Sequence, residues 1–230
     1  MTRKTFDAVV FDWRGTLAYE LTPEDWAYEA LSRTDRPHDE QAVATLLDKI
    51  SAAAGQPSRL KSADGNTSYD KHRETYYTVF ADAGLDCDLA DALFAVDSDP
   101  LYNTFAVDAA ATMSSLTEIG CKIGILSNIH FDIRPVFAEA QLLDSIDAFV
   151  LSGEHGVQKP DPAIFRLALR LLGTDAGRTL MVGDRASRDG MAVEVGMPTL
   201  LVPPLTDPQQ QRLHIVTNTV GASHRTGDSE

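Results

Sequence analysis

Acidic, basic and hydroxyl side chains follow four separate apolar runs of this sequence. The residues in question, in chain order, are Asp12, Ser127, Asn128, Lys159, Asp184 and Asp189. A carboxylate can act as a nucleophile and form a covalent intermediate. Carboxylates are also hard oxygen ligands for Mg²⁺, while a lysine offers a point charge, and hydroxyl and amide groups offer hydrogen bonds, to phosphoryl oxygens. The set therefore contains the groups that Mg²⁺-dependent phosphoryl transfer through a covalent aspartyl intermediate requires.

The apolar runs that carry these residues are short and rich in Val, Ile and Leu. They are FDAVVF from Phe6, KIGILS from Lys122, DAFVLS from Asp147, TLMVGD from Thr179 and PTLLVP from Pro198. Runs of this kind that alternate with helical patterns favour a parallel sheet covered on both faces. The carboxyl ends of such strands form the edge at which open α/β sheets bind ligands. The sequence thus predicts an α/β fold, a three-layer Rossmann-like parallel sheet with the polar residues at one edge.

Helix signals between the apolar runs agree with this fold. In KPDPAIFRLALRLLG, Asp161 is a candidate N-cap, Pro162 takes the first helical position and Gly173 ends the helix. A further helix is predicted to end at Gly196. The first two strands, however, are more than a hundred residues apart, much further than a compact strand–helix unit requires.

The excess chain between these strands is predicted to be helical. It opens with LTPEDW, in which Thr22 can cap a helix and Pro23 can begin it. It is either a helical decoration or a lid over the ligand-binding edge, and its exit point just after the first strand favours the lid. We expect a core at residues 1–20 and 100–205, a helical cap at 21–99, and a polar, flexible tail at 206–230.

Charge and composition narrow the classes of partner. The chain has 230 residues and a formal net charge of -14, which disfavours nucleic acids and anionic membranes. An anionic small-molecule substrate would therefore need a locally positive site. Two cysteines make no disulfide framework, and no signal peptide or run of membrane-spanning length is visible, so a cytoplasmic protein is expected.

Taken together, the motifs resemble those of the haloacid dehalogenase (HAD) superfamily, from Phe6 to about Val202. DWRGTL resembles the D-x-D-G-T-L motif, Ser127 the second motif, KPDP the lysine motif, and GDRASRD the G-D-x-x-x-x-D motif. The resemblance implies a hydrolase with a helical cap, most simply a phosphatase of a small phosphorylated metabolite. The implied roles are nucleophile (Asp12), Mg²⁺ ligation (Asp12, Asp184 and the main-chain carbonyl of Arg14, supported by Asp189) and phosphoryl binding (Ser127, Lys159).

Arg14 departs from this pattern. The family's phosphatases have an aspartate there, which protonates the leaving group and then activates water. An arginine stays protonated and cannot cycle a proton. Arg14 can instead hold a substrate anion, pair with an acid of the cap, or be inert. His130 and His155, on loops after the second and third strands, are candidate substitutes for the missing acid, as are Glu20 and Asp25 at the start of the cap.

Three alternatives to a phosphatase remain open. The family's dehalogenases also lack the second aspartate, but they use no metal and lack the G-D-x-x-x-x-D pattern. Its phosphonoacetaldehyde hydrolases, with D-W-A-G-T, resemble the first motif more closely and use a cap lysine as a Schiff base. Here no surrounding motif singles out Lys49, Lys61 or Lys71. The third alternative is a catalytically impaired protein that binds a phosphorylated ligand.

Trp13 either lines the pocket or packs beneath the cap.

Overall fold

Five parallel strands form one sheet in the computed structural model, which describes residues 4–61 and 65–221. The strands are β1 (Ala8–Phe11), β2 (Lys122–Ser127), β3 (Ala148–Leu151), β4 (Thr179–Gly183) and β5 (Thr199–Leu201). Their order is β3-β2-β1-β4-β5, and β1 pairs in parallel with both β2 and β4. The predicted strands and their parallel arrangement are confirmed. Because β1 is central, the residue that follows it lies in the middle of the ligand-binding edge.

Helices connect the strands. The α-helices of the described residues are α1 (Pro23–Arg33), α2 (Glu40–Ala54), α3 (Tyr69–Asp82), α4 (Cys87–Asp97), α5 (Ala109–Glu118), α6 (Arg134–Glu139), α7 (Ser152–His155), α8 (Pro162–Leu172) and α9 (His214–Gly221). The 3₁₀ helices of the described residues lie at Arg59–Lys61, Pro100–Tyr102, Leu143–Ser145, Ala176–Arg178 and Asp189–Val195. The helix expected before Gly196 is therefore the last of these 3₁₀ helices. None of the helices in the described ranges has the length and apolar character needed to cross a bilayer.

Side chains of the central strand β1 point alternately to the two faces of the sheet, and helices cover both faces, which gives three layers. Val9 and Phe11 join a core on one face of the sheet, to which α5, α6 and α9 contribute. Ala8 and Val10 join a second core on the other face, covered by α8 and the 3₁₀ helix Asp189–Val195. Successive side chains of a strand point to opposite faces, so a wholly apolar strand serves both cores. The predicted three-layer Rossmann-like α/β fold is confirmed.

The long connection after β1 carries α1 to α4, which bury a hydrophobic cluster of their own. We call residues 21–99 the helical insert. Its first helix begins as the sequence suggests, because the Thr22 hydroxyl accepts a hydrogen bond from the Asp25 backbone N–H over 3.0 Å. Within the described part of the insert there is no strand.

The segment after residue 205 differs from the expected flexible tail. Helix α9 lies within it, and Leu213, Val216 and Val220 are buried in the core cluster to which α5 contributes. These apolar residues recur at helical spacing, which accounts for their packing as one face. Residues 222–230 lie outside the described residues.

Candidate active site

A glycine turn directs the chain sharply away from the sheet after Asp12. Asp12 follows β1, and its backbone N–H donates to the Val182 carbonyl over 2.9 Å. Gly15 has a φ of +83°, a conformation that side chains disfavour. A Cβ at this position would lie 2.7 Å from Oδ2 of Asp184. The glycine is therefore required for the turn and for the close approach of the Asp184 carboxylate.

Lys159 lies between two carboxylates in the interior of the site. Its Nζ is 2.6 Å from Oδ1 of Asp12 and 2.6 Å from Oδ1 of Asp189. The lysine is only 2% exposed. A charged group buried to this degree is stable only when it is paired and hydrogen-bonded, and both conditions are met here.

Asn128 holds the main chain of this lysine. Its amide group donates to the Lys159 carbonyl and accepts from the Lys159 N–H, each over 2.8 Å. The sequence suggested Asn128 as a group that binds substrate. In the structure both ends of its amide are engaged by Lys159, so Asn128 positions the lysine. Ser127, the other residue suggested for phosphoryl binding, is the buried last residue of β2.

The two later aspartates occupy different positions. Ligand atoms of Asp12, Asp184 and Asp189 lie within 4.8 Å of one another. Asp189 Oδ2 accepts from the Arg185 N–H over 3.0 Å, so both oxygens of this carboxylate have partners. A Cβ on Gly183 would lie 2.2 Å from the Asp189 Cγ, which explains the glycine at the end of β4. Asp189 thus orients the lysine and is itself held by the Arg185 N–H.

Burial shifts the ionisation of this cluster. Burial raises the pKa of Asp12 to about 7, although the neighbouring ammonium of Lys159 opposes that shift. For Lys159 burial lowers the pKa, but the carboxylates of Asp12 and Asp189 outweigh it, and the net shift is upward. Burial also raises the pKa of Asp184, against the opposing charge of Arg185. The site therefore holds more negative charge than its one buried lysine balances, which favours a bound cation.

The donor set fits Mg²⁺. It offers carboxylate oxygens from Asp12 and Asp184, hard ligands of the type that Mg²⁺ prefers, and the main-chain carbonyl of Arg14 stays a predicted third ligand. The space that a side chain at Gly15 would fill is taken by the Asp184 carboxylate, which brings this acid to the turn after Asp12. Asp189, with both oxygens occupied, supports the site through Lys159 and Arg185.

The Arg14 side chain points to the helical insert. Its Nε donates to Oδ1 of Asn103 over 2.6 Å, and its Nη2 donates to the Asp97 carbonyl over 2.9 Å. Its Nη1 also lies 3.9 Å from Oδ1 of Asp97 and 4.0 Å from Oε1 of Glu20. The guanidinium lies over the Phe131 ring, 5.3 Å from the centroid. Of the roles considered for Arg14, these contacts match an ion pair with an acid of the insert.

Three other residues that the sequence suggested for the site lie in separate surroundings. Trp13 is fully buried and packs against the Phe105 and Phe137 rings, at centroid distances of 4.9 and 5.1 Å, so it belongs to the core. His155 is exposed at the end of α7. The Asp25 carboxylate accepts hydrogen bonds from the Tyr19 and Thr22 hydroxyls near the start of α1.

His130 is buried and faces the insert. Its ring stacks on that of His72 at a centroid distance of 3.5 Å, and its Nε2 is 2.9 Å from Oγ of Ser98. Sequence reasoning singled out neither His72 nor Asp97. Their separation from His130 along the chain carries no motif, and only the docking of the insert brings them together.

Arg185 was also missed, although it directly follows Asp184. Its Nη2 lies 2.8 Å from Oε2 of Glu20, and its Nε is 3.6 Å from Oδ2 of Asp184. With Arg14 and Lys159 it brings positive charge close to Asp12, although the carboxylates paired with these three cations outnumber them. Its position inside the GDRASRD motif was the signal that could have identified it.

Comparisons with known proteins agree on one family. A sequence model of the haloacid dehalogenase-like hydrolases matches residues 6–196. A phosphoglycolate phosphatase of Rhodospirillum rubrum is 29% identical over 199 residues, which is 85% of this chain and 78% of that protein. Three other curated relatives of higher identity match over a shorter stretch, and the alignments cover between 34% and 41% of their lengths.

Two solved structures share the fold. A HAD phosphatase of Thermococcus onnurineus has a TM-score of 0.59 and 25% identity, with 87% of this chain and 88% of that chain covered. An L-2-haloacid dehalogenase of Xanthobacter autotrophicus has a TM-score of 0.61 and 27% identity, with 86% and 77% covered. The likeness extends to enzymes of both chemistries, so the chemistry must be argued from the site.

Proposed function

This chain belongs to the haloacid dehalogenase-like hydrolases, and on that basis we propose that it is a Mg²⁺-dependent phosphatase of a small phosphorylated metabolite. One observation carries the proposal: Lys159 Nζ bridges Asp12 and Asp189 beside Asp184, with the three carboxylates within 4.8 Å of one another. The carboxylate of Asp184 favours a phosphatase over a metal-free dehalogenase, because the family's dehalogenases lack the G-D-x-x-x-x-D pattern that supplies it. The phosphatase relatives, including the one from Rhodospirillum rubrum, support the same substrate class.

In the proposed reaction Asp12 is the nucleophile. One of its oxygens forms a bond to phosphorus as the bond from phosphorus to the leaving oxygen breaks, which gives an aspartyl-phosphate. Water then attacks the phosphorus, and the acyl-phosphate bond breaks to release phosphate and restore Asp12. Bound Mg²⁺, held by Asp12, Asp184 and the Arg14 carbonyl, would neutralise charge on the phosphoryl oxygens.

The surrounding residues position the nucleophile and neutralise charge on the phosphoryl group. Lys159 binds Oδ1 of Asp12, leaves Oδ2 for attack, and offers positive charge to the phosphoryl group. Asn128 and Asp189 hold the two ends of this lysine. We assign Ser127, at the end of the adjacent strand β2, to hydrogen-bonding with the phosphoryl oxygens.

Arg14 makes the proton handling non-standard. It cannot donate and retrieve a proton, a contribution worth on the order of 10²–10⁴ in rate. Its partners Asn103 and Asp97 hold its side chain at the insert. We infer a slow enzyme, or one whose substrate has a leaving group that departs without a proton.

We also propose that the helical insert acts as a cap over the site. The Arg14 hydrogen bond to Asp97 ties it to the turn after β1. A second tie joins the Ser152 hydroxyl to the Asn66 carbonyl over 2.6 Å, and a third joins the Asn66 N–H to the Gln158 side chain over 3.0 Å. Both core residues follow β3, so the insert contacts loops at the same edge as Asp12.

A second candidate is a protein that binds a phosphorylated ligand without turnover. The engagement of Arg14 by the insert favours it, because the site then lacks a group for the acid–base step. Phosphonate cleavage through a Schiff base has less support, since Lys49 and Lys71 are exposed in the insert. A cytoplasmic location stays a prediction.

The test is Mg²⁺-dependent hydrolysis of an activated aryl phosphate by wild type, Arg14→Asp and Asp12→Asn. The proposal expects slow wild-type turnover, no turnover in Asp12→Asn, and a gain in Arg14→Asp. Activity that survives in Asp12→Asn would contradict the nucleophile. No turnover in wild type, together with a melting temperature raised by Mg²⁺ and beryllofluoride, would favour the binding protein.

A further inference from the structure

A second group of metal-type ligands lies between the helical insert and the core. It consists of His72 on α3, Asp97 at the end of α4, and His130 in the loop after β2. Ligand atoms of the three residues lie within 4.8 Å of one another. We propose that this His–Asp–His cluster binds one divalent transition metal ion of the Zn²⁺ type and that the ion joins the insert to the core. The inference does not depend on the proposed phosphatase activity.

The chemistry of the cluster differs from that of the carboxylates around Asp12. Two imidazole nitrogens and one carboxylate oxygen suit Zn²⁺, Co²⁺ or Ni²⁺, and three protein ligands leave one position of a tetrahedral ion open. The cluster around Asp12 is made of oxygen atoms alone and suits Mg²⁺. The two groups share no residue, so a chain with both would discriminate between metals by ligand type.

Both rings direct a nitrogen to the same carboxylate. His72 Nε2 lies 2.8 Å from Oδ2 of Asp97, and His130 Nε2 lies 3.9 Å from the same oxygen. The two rings are stacked at an interplanar angle of 12°. An ion shared by both nitrogens requires the rings to open from this stack and His130 to exchange its contact with Oγ of Ser98.

The surroundings of the cluster exclude water and orient its carboxylate. The two histidines are 5% and 6% exposed, so water competes weakly. Arg14 Nη1 faces the other oxygen of Asp97, Oδ1, and therefore orients the carboxylate from outside the cluster. Glu20 lies 4.0 Å from the same Arg14 nitrogen and offsets its charge.

An ion in this position would restrain the insert. Two of its ligands belong to helices of the insert and the third to the core loop that follows Ser127. Release of the insert from the core would then break a metal–ligand bond as well as the hydrogen bonds of Arg14. We expect the ion to raise the melting temperature, since it binds the folded arrangement alone.

The test uses the full chain, stripped with a chelator and titrated with Co²⁺ alone. We expect the strong visible absorption of four-coordinate Co²⁺, saturating at a single ion per chain, and a higher melting temperature. Two matched controls keep this signal: Asp184→Asn, which impairs the carboxylate cluster, and His155→Gln, which removes an exposed histidine. His72→Gln and His130→Gln lose it.

Three outcomes would overturn the proposal. They are the absence of the absorption band in wild type, its survival in both cluster variants, and its loss in Asp184→Asn. Circular dichroism checks that each variant is folded. If a cluster variant does not fold, the NMR spectrum of wild type with Co²⁺ decides instead. It should show strongly shifted ring N–H signals from two histidines, and signals from fewer than two would contradict the shared site.

Discussion

The Arg14 Nε donates a hydrogen bond to Oδ1 of Asn103 over 2.6 Å, although the two residues are 89 positions apart in the chain. Asn103 follows the helical insert and Arg14 precedes it, so the bond closes the base of the insert. The same guanidinium reaches the carbonyl of Asp97, the last residue of α4. Where the family's phosphatases have a proton donor, this chain has a structural contact.

Arg14→Ala should therefore destabilise the fold. Its side chain is 20% exposed, and the loss of hydrogen bonds to a partly buried cation should cost about 1–3 kcal/mol. Urea unfolding measures this cost. The matched control is Arg36→Ala, whose pair with Asp86 lies on the exposed surface of the insert, where solvent screens the charges. Equal unfolding midpoints for the two variants would argue against the structural role.

Gly15→Ala should cost more than a strained turn alone. The positive φ accounts for about 1–2 kcal/mol, and the clash with Asp184 adds to it. Gly84→Ala isolates the first term, because Gly84 has a φ of +70° and no atom within 4 Å of its added Cβ. The difference between the two free energies of unfolding measures the clash. If the two variants lose the same stability, the Asp184 carboxylate does not press on the turn.

Asn128→Ala should lower catalysis without removing a group that contacts phosphate. It deletes both hydrogen bonds to the Lys159 main chain, worth about 1–3 kcal/mol together, or roughly 5- to 150-fold in kcat/KM. Asn128→Asp keeps the acceptor for the Lys159 N–H and should fall between wild type and alanine. Asn218→Ala, at an exposed position of α9, is the control. Wild-type kinetics in Asn128→Ala would show that the clamp is dispensable.

Lys159→Met should destabilise the folded chain, and more so at high pH. Removal of one partner from a buried pair costs about 3–5 kcal/mol. Burial already raises the pKa of Asp12 and Asp184, and loss of the ammonium removes an opposing charge from both. The folded variant then binds more protons than the unfolded chain, so its stability falls as pH rises.

Urea unfolding of wild type and Lys159→Met at pH 5 and pH 8 measures this effect. We expect a larger gap between the two proteins at pH 8. The double variant with Asp189→Asn removes one of the facing charges and should narrow the gap. If the difference in unfolding free energy between the two proteins does not change with pH, the carboxylates of the variant have become hydrated and the prediction is wrong.

Metal-free protein should lose stability as pH falls below neutrality, in part through His130. Burial, together with the neighbouring His72, lowers its pKa from 6.5 to about 3, with Asp97 opposing and Arg14 adding to the shift. Between these values the unfolded chain binds the proton and the folded chain does not. Stability is therefore lost from about pH 6.5 downward, by up to about 1.4 kcal/mol per pH unit. The unfolding free energy of His130→Gln should decline less steeply than that of wild type over pH 4–6.5, and equal slopes would contradict the assignment.

The core of the fold and most of its site were readable from local patterns. Five short apolar runs specified the strands, and a parallel sheet necessarily gathers the residues that follow them at one edge. Asp12, Lys159 and Asp184 could thus be placed together without coordinates. Apolar residues at 213, 216 and 220 could also have predicted α9, but their polar surroundings suggested a tail.

The amino-acid sequence by itself determined where the strands of this protein end and which acids and lysine follow them, because strand periodicity and chain direction are local properties. Only the tertiary structure decided the partners of Arg14 and the meeting of His72 with His130. Those contacts depend on how the insert docks on the core, which is set by packing between helices distant in sequence. The roles of Asn128 and Asp189 were decided in the same way. Their hydrogen-bonding atoms could have faced a ligand, and the fold directs them to the lysine.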